Sequence, residues 1–135
     1  MLRIILGIIA GFIAWSIIWV GSEQFLATML RDWYGAHQDR VALALANRES
    51  FSADTTIVLL GLLRAAIASI MAGFLTAVVA GENRRSPLIL GIILLFVGLM
   101  FQYIAWNVFP IWYHLIFLAL LVPMTILGGR MKQTT

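Results

Sequence analysis

Four long apolar stretches constrain this chain more than any other feature of its sequence. They cover residues 2–22, 55–80, 87–106 and 111–127. Each is close to the roughly 20 helical residues that cross the hydrocarbon core of a bilayer. The stretches are apolar on all sides, without the alternation of a β-barrel strand, and a helix satisfies its own backbone in lipid. The sequence therefore predicts an all-α integral membrane four-helix bundle, with residues 1–135 forming a single domain.

Composition agrees with a chain that is surrounded by lipid. Of the 135 residues, 62% are hydrophobic and 11% are charged, so a water-soluble globule would lack polar residues for its surface. The lipid bilayer is therefore the first expected partner. The net charge of +3 does not predict nucleic-acid binding, because the basic residues are scattered at helix ends. The absence of cysteine excludes disulfides, thiolate metal sites and a cysteine nucleophile.

Basic and aromatic residues both predict the orientation. The positive-inside rule assigns to the cytoplasm the basic residues at one set of helix ends, which are Arg3, Arg84, Arg85, Arg130 and Lys132. Aromatic side chains that favour a membrane interface lie at the other ends, namely Trp33, Tyr34, Tyr103, Trp106, Trp112 and Tyr113. We therefore expect both termini in the cytoplasm and the chain in a bacterial inner membrane. We also expect an outer loop over residues 31–54, with a short helix at residues 37–48.

Rows of small residues predict close contacts between the helices, because small side chains let backbones approach each other in lipid. The second span carries one row of Gly61, Ala65, Ser69, Gly73 and Ala77, and a parallel row of Ala68, Ala72, Thr76 and Ala80. In the first span, Gly7 and Gly11 form a GxxxG pair. Counting from the charged ends places this pair level with Gly73 and Ala77, so we expect the two spans to cross there.

Further residues predict helix boundaries and one more packing seam. Gly91 and Gly98 lie seven residues apart in the third span, which suits a left-handed seam against a neighbour. The segment Ser52-Ala53-Asp54 precedes the second span and is expected to supply the N-cap of that helix. Gly128 and Gly129 follow the last apolar run, in the manner of a glycine C-cap. We therefore expect the last helix to end at these two glycines.

Arg64 is the one full charge in the interior of a predicted span, since Arg3 lies at the very start of the first span. Arg64 precedes Glu82 by 18 residues, or about 27 Å at 1.5 Å per residue, which puts it just inside the outer boundary. Glu23 follows Arg3 by 20 residues and lies at nearly the same depth. We therefore predict that Glu23 and Arg64 form an ion pair.

The same counting places Gln102 and His114 within one helical turn of that layer. Glu23, Arg64, Gln102 and His114 then form a polar cluster with one residue from each span, and intramembrane ionisable residues are functional candidates. One interpretation is an outward-facing site for an anion, a small polar solute or a headgroup, with Arg64 as its fixed charge. The other is a structural plug in which Glu23 neutralises Arg64. We favour the plug, because all four residues lie shallow enough to reach interfacial water.

The sequence predicts no catalytic residue, metal site or cofactor, since no nucleophile–base pair, metal constellation or phosphate-binding loop is visible. We expect a membrane protein that is not an enzyme, most simply an accessory or scaffold subunit. It would pack against other membrane proteins, or against copies of itself, through its small-residue helix faces. One alternative is an oligomeric carrier or channel for small solutes or ions with an outward-facing polar cluster. Another is an intramembrane enzyme or pigment-binding protein centred on His114, although no second histidine lies within a span.

Overall fold

A computed structural model describes residues 2–47, 54–104, 106 and 109–131 of the chain. Lys132 and residues 48–53 of the predicted loop therefore lie outside the described residues. Five α-helices are present, which are α1 (Leu2–Met29), α2 (Ala36–Ala46), α3 (Thr55–Ala80), α4 (Arg85–Ile104) and α5 (Ile111–Arg130). A π-helical turn, Arg31–Gly35, precedes α2, and no strand occurs in the described ranges. Because α1, α3, α4 and α5 are long and apolar enough to cross a membrane, the predicted all-helical class with four candidate spans is confirmed.

The candidate spans alternate in direction, so the bundle has two different ends. Arg3 of α1 donates from Nε to the carbonyl of Val79, near the end of α3, at 3.2 Å. Glu23 of α1 instead contacts Arg64, nearer the start of α3, so these two helices are antiparallel. We name the end that carries Arg3, Arg84, Arg85 and Arg130 the basic end. The opposite end, beside α2, is the α2 end.

Local sequence explains where α3 begins and ends. Asp54 caps its N-terminus, because Oδ1 of Asp54 accepts a hydrogen bond from the backbone N–H of Thr56 at 2.8 Å. This cap was predicted from the sequence. Gly81 ends the helix in the left-handed conformation, with a φ of 74° that glycine adopts without steric strain.

Glu82 organises the turn between α3 and α4. Its carboxylate accepts three hydrogen bonds from backbone N–H groups at the start of α4, those of Arg84, Arg85 and Ser86, at 3.2, 2.9 and 2.6 Å. The first N–H groups of a helix have no partner within the helix, so this carboxylate supplies one. Partial burial raises the pKa of Glu82, but the hydrogen bonds more than offset that effect and lower the pKa to about 2.

α3 is the central helix, and its two rows of small residues face different neighbours. Every member of both rows is buried. Ala72 and Thr76 of one row face α1, because they approach Gly11. In the other row, a Cβ added to Gly61 would lie 3.6 Å from the ring of Tyr113 in α5. The small residues of α3 thus bring two other spans close to it.

The expected crossing of α1 and α3 is present, but it involves a different row of α3. A Cβ on Gly7 would lie 2.7 Å from the carbonyl oxygen of Thr76, and one on Gly11 would lie 3.0 Å from that of Ala72. The helices cross at the predicted depth, and the residues of α3 that meet the GxxxG pair belong to the row of Thr76 rather than to the row of Gly73. Counting residues fixes the depth of a contact along a helix, but it does not fix which face of the helix turns towards the neighbour.

The predicted seam of α4 faces α5. A Cβ on Gly91 would lie 3.2 Å from the Cα of Val122, and one on Gly98 would lie 2.6 Å from Cδ1 of Leu121. The small residues at these two positions therefore let α4 and α5 approach closely.

The prediction that Gly128 and Gly129 end the last helix is wrong. α5 continues through Arg130, and neither glycine has a positive φ. A Cβ on Gly128 would overlap the carbonyl group of Ile70 in α3, and one on Gly129 would overlap the ring of Pro87 in α4. These glycines allow close helix packing and do not cap the helix. Close packing is the second physical reason for glycine in a membrane helix.

Candidate functional site

Arg64 and Glu23 form an ion pair near the α2 end of the bundle. Nη1 of Arg64 lies 2.9 Å from Oε2 of Glu23, and the two side chains are 9% and 27% exposed. The pair joins α3 to α1, and the predicted contact between these residues is confirmed. A charge at this depth is expensive unless it is paired, so the contact explains how an arginine is accommodated within a span.

Arg64 makes further contacts that occupy most of its guanidinium group. Nε donates to Oγ of Ser22 at 2.8 Å, Nη1 also donates to the hydroxyl of Tyr34 at 2.9 Å, and Nη2 donates to the carbonyl of Trp19 at 2.6 Å. Cζ of Arg64 also lies 4.3 Å from the centre of the Trp19 ring, a cation–π contact. Together with the bond to Glu23, these contacts occupy four of the five N–H groups of the guanidinium.

A chain of hydrogen bonds extends from Glu23 to α2. Glu23 accepts from the hydroxyl of Tyr34 at 2.7 Å and from the side-chain amide of Gln38 at 2.6 Å. Oε1 of Gln38 accepts from Nδ1 of His37 at 2.8 Å, and Nε2 of His37 accepts from the backbone N–H of Asp54 at 3.0 Å. Because that backbone group donates, His37 carries its proton on Nδ1. The network therefore fixes α2 against α1 and the start of α3.

Tyr34 lies outside the spans and completes the ion pair from the π-helical turn. It is 1% exposed, donates to Glu23 and accepts from Arg64. Burial and the hydrogen bond to the Glu23 carboxylate raise the pKa of the Tyr34 phenol, so it stays protonated at neutral pH. Sequence analysis assigned Tyr34 and Tyr113 to an interfacial belt, but both are buried. The other predicted belt residues are exposed, namely Trp33, Tyr103, Trp106 and Trp112.

Gln102 and His114 form a second, separate pair. Nδ1 of His114 hydrogen-bonds to Oε1 of Gln102, and Nε2 lies 3.2 Å from the carbonyl of Trp106. His114 is fully buried, and its ring stacks on that of Trp106 with 4.6 Å between centroids. In the part of the chain that the structure describes, no hydrogen bond joins this pair to Glu23 or Arg64. The four predicted residues therefore form two pairs rather than one connected cluster.

Glu23, Arg64 and Gln102 line one cavity of about 260 Å³ at the α2 end. Seven aromatic side chains line it, those of Trp15, Trp19, Tyr34, Phe101, Phe109, Tyr113 and Phe117. Its polar lining comes from Glu23, Gln38, Arg64 and Gln102. Among its lining residues, Phe101 and Ile104 are the exposed ones, at 52% and 61%. The exposed part of the lining is therefore apolar.

Stacked tryptophans lie on the side of the cavity that faces the basic end. The rings of Trp15 and Trp19 stack with centroids 5.6 Å apart, and Trp19 meets the edge of Phe117 at 5.5 Å. Nε1 of Trp15 donates to Oγ of Ser69 at 3.1 Å, and this hydrogen bond links the stacked tryptophans to α3. Beyond these tryptophans, the helices touch through backbone atoms at Gly73 and at the other glycines described above. The cavity is thus closed towards the basic end.

The sequence predicted the two charged residues of the site, Glu23 and Arg64, but not most of the groups that bond to them. Ser22, Trp19 and Tyr34 bond to Arg64, but none of them follows from depth counting alone. Glu23 and Ser22 are adjacent in the chain, and this was the available signal that α1 presents more than one polar group to Arg64. The cavity itself has no sequence signal, because it depends on how large aromatic side chains meet in three dimensions.

Comparison with known proteins adds no family to this description. No family model, curated protein or solved structure matches the chain. Among the described residues, no group of three or more His, Asp or Glu side chains is placed to hold a metal ion. The site therefore has to be interpreted from its own geometry.

Proposed function

We propose that this is a non-catalytic integral membrane protein that holds a small apolar molecule in the cavity at its α2 end. The observation that carries the proposal is the aromatic-walled space of about 260 Å³. Small-molecule sites begin at roughly 300 Å³ and are mostly lined by apolar and aromatic side chains. A space close to this size with this lining can hold a small apolar molecule.

The lining favours an uncharged, apolar occupant that enters from the bilayer. The exposed residues of the lining, Phe101 and Ile104, are apolar, so a molecule that enters beside them meets apolar side chains. Arg64 offers little to an anion, because Glu23 neutralises it and protein groups accept most of its hydrogen bonds. A charged ligand would also have to leave water for an aromatic enclosure, at a cost of several kcal/mol.

We favour binding over transport, which was the alternative from the sequence. A carrier needs a second exit, and the half of the bundle at the basic end is packed through backbone contacts. Gly73 meets the backbone of Thr125, and Gly128 meets that of Ile70. A solute in the cavity would have to separate α3 from α5 to pass further. The cavity is better suited to hold a molecule than to conduct one.

An accessory role beside other membrane proteins stays a prediction. The small-residue rows on which it was based pack against α1 and α5 within the chain. They are therefore not available to a partner. The outward faces of the spans carry large apolar side chains, as contact with lipid requires.

We further propose that both termini face the cytoplasm. The support is the set of arginines at the basic end, which includes Arg3, Arg84, Arg85 and Arg130. In this orientation, the cavity opens towards the outer leaflet. Reporter fusions after Arg130 and within the turn at Glu82 test the orientation, and an external reporter at either position would contradict it.

Binding can be tested by filling the cavity. Gly61 lines it, and a Cβ there meets Tyr113 only at 3.6 Å, so Gly61→Leu extends a side chain into the space. A Cβ added to Gly21 of α1 would have no neighbouring atom within 4 Å, so Gly21→Leu is a matched control on an open surface. The probe is 4-bromodiphenylmethane, whose bromine quenches the fluorescence of Trp15 and Trp19 when it lies in the cavity.

We expect saturable quenching in the wild type and in Gly21→Leu, and only the weak, linear quenching of micelle partitioning in Gly61→Leu. Thermal unfolding without probe serves as the folding control. Gly61→Leu should unfold at the same or a higher temperature than the wild type, because it fills a void. Equal quenching of all three proteins would contradict the proposed function.

A further inference from the structure

A hollow of about 570 Å³ lies on the surface of the bundle at the basic end, between the start of α4 and the end of α5. Its lining residues are Asn83, Arg84, Leu88, Ile126 and Arg130. The close approach of Pro87 and Gly129 brings the two helix ends together, so that arginines from both sides of this contact reach the same space. We call this space the arginine hollow.

The two arginines of the hollow are not neutralised by protein groups. Arg84 and Arg130 are exposed, and neither guanidinium forms a hydrogen bond or an ion pair with a residue that the structure describes. Glu82 is the one carboxylate among the described residues at the basic end, and its oxygens accept from backbone N–H groups at the start of α4. The lining of the hollow therefore carries two positive charges and no negative one.

Helix stability and orientation do not explain this placement. Arg130 lies in the last turn of α5, where a cation stabilises the helix dipole. Arg84, however, immediately precedes the start of α4, where the dipole disfavours a cation. The positive-inside rule selects basic residues for one side of the membrane, but it does not require charges from two helices to line one space. A negatively charged ligand supplies a reason for this arrangement.

An apolar groove of about 430 Å³ adjoins the hollow along α5. Its lining residues are Val122, Pro123, Met124, Ile126, Leu127 and Arg130. Ile126 and Arg130 line both spaces, so the groove begins at the hollow and runs along α5 towards the middle of the bundle. Since α5 is a candidate membrane span, this groove faces the region of the acyl chains. A ligand that occupies both spaces needs an anionic head and a hydrocarbon tail.

Phosphate fits the head of such a ligand, because guanidinium groups bind phosphate oxygens through paired, charge-assisted hydrogen bonds. A zwitterionic headgroup would add an ammonium group, for which the lining offers no carboxylate. We infer that the arginine hollow binds the phosphate of an anionic phospholipid, whose acyl chain lies in the apolar groove. Basic pockets between membrane helices suit such headgroups. The hollow and the cavity lie at opposite ends of the bundle, so this inference does not depend on the proposed function.

Native mass spectrometry of the full-length protein, delipidated in a neutral detergent, measures the binding directly. The probes are dioleoyl phosphatidylglycerol and dioleoyl phosphatidylcholine, which have the same acyl chains and differ in headgroup charge. We expect the protein to bind phosphatidylglycerol about ten-fold more tightly. This preference should decrease as the salt concentration rises, because the arginines are exposed and therefore screened.

Arg84→Gln and Arg130→Gln each remove one charge from the hollow, and each should reduce the preference for phosphatidylglycerol about five-fold. The matched control is Arg85→Gln. Arg85 is exposed at the same end of the bundle but lines neither the hollow nor the groove, so this variant should keep the wild-type preference. Thermal unfolding is the folding control, and all three variants should unfold at the wild-type temperature because the substituted side chains are exposed.

Three results would overturn the inference. Equal affinity for the two lipids would show that the hollow does not select an anionic headgroup. A loss of preference in Arg85→Gln as large as in the other variants would show that the total charge of the basic end attracts the lipid. Displacement of phosphatidylglycerol by an excess of glycerol 3-phosphate, which has no acyl chain, would identify a site for soluble phosphate compounds. None of these results concerns the cavity, which 4-bromodiphenylmethane tests separately.

Discussion

The two halves of this bundle are built from the same kind of helix and differ in how the helices meet. Towards the basic end, Gly7, Gly73 and Gly128 bring backbones into direct contact. Towards the α2 end, aromatic and charged side chains hold the helices apart around a cavity of about 260 Å³. The first arrangement leaves no space between the helices at these contacts, whereas the second provides space and polar groups between them.

The difference follows from packing in lipid. Apolar side chains gain little by leaving lipid for one another, so helices associate through close backbone approach or through polar contacts. The half at the basic end uses the first means. The half at the α2 end uses the second, with Arg64 and Glu23 joined to α2 by hydrogen bonds through Gln38. The two halves should therefore respond differently to the same kind of substitution.

Adding one methyl group should give the largest difference between the halves. A Cβ on Gly73 would overlap the backbone carbonyl of Thr125, which cannot move without shifting α5, so Gly73→Ala should lower the free energy of unfolding by about 3 kcal/mol. The Cβ of Gly61→Ala would lie 3.6 Å from Tyr113. This substitution should therefore change the free energy of unfolding by no more than about 1 kcal/mol. Unfolding by dodecyl sulfate in mixed micelles measures both values, and equal losses would remove the distinction.

Breaking the ion pair should weaken the α2 end by a smaller amount. Glu23→Gln and Arg64→Gln each leave one charge without its partner, and we expect each to cost about 2 kcal/mol, because Glu23 is partly exposed. The double variant should recover about 1 kcal/mol of the summed loss. The same unfolding assay provides this double-mutant cycle, and strictly additive losses would show that the pair contributes no coupling.

At the crossing of α1 and α3, substitution of Thr76 should increase the stability of the protein rather than reduce it. Its buried hydroxyl has no partner, so Thr76→Val should raise the free energy of unfolding by about 1 kcal/mol. Thr125→Val is the control, because Oγ1 of Thr125 donates to the carbonyl of Leu121 at 2.6 Å. Its removal should be neutral or slightly destabilising. A loss of stability in Thr76→Val as large as in Thr125→Val would indicate that the first hydroxyl is satisfied.

Substitution of Glu82 at the basic end should give the smallest change in stability, and this change should depend on pH. Its pKa is lowered from 4.5 to about 2 in the folded protein, so the ionised form stabilises the fold above pH 4.5. This contribution is lost as the pH falls from 4.5 towards 2. At pH 7, Glu82→Gln should cost about 1 kcal/mol, as for loss of a helix cap. The difference from wild type should shrink below pH 4.5, and a difference that stays constant would contradict the cap.

The fold class and one contact of the site could be predicted from the sequence. Apolar runs of span length define the four helices, and depth counting brought Glu23 and Arg64 together, because an α-helix rises by a fixed distance per residue. The same counting gave the depth at which Gly7 and Gly11 meet α3 but not the face of α3 that they meet, because it ignores rotation about the helix axis. It also could not tell that Gly128 and Gly129 serve packing, since capping and packing both select glycine.

The rest of the site was beyond sequence reasoning for a different reason. Tyr34 and Tyr113 look like belt residues, because a tyrosine near a span boundary usually lies at the interface. Their burial depends on the path of the π-helical turn and on the tilt of α5 against α3, which no local pattern encodes. The cavity between them results from the same tertiary arrangement. Such features appear only once the helices are placed together.

Anomalous diffraction from crystals soaked with 4-bromodiphenylmethane would locate the bound probe without assumptions about affinity. We expect a bromine peak inside the cavity, between the aromatic rings of Trp15, Trp19 and Phe117, and no peak within the half of the bundle at the basic end. A cavity that holds only ordered water, or one closed by the collapse of these rings, would contradict the binding function and with it the division of the bundle into a packed half and a binding half.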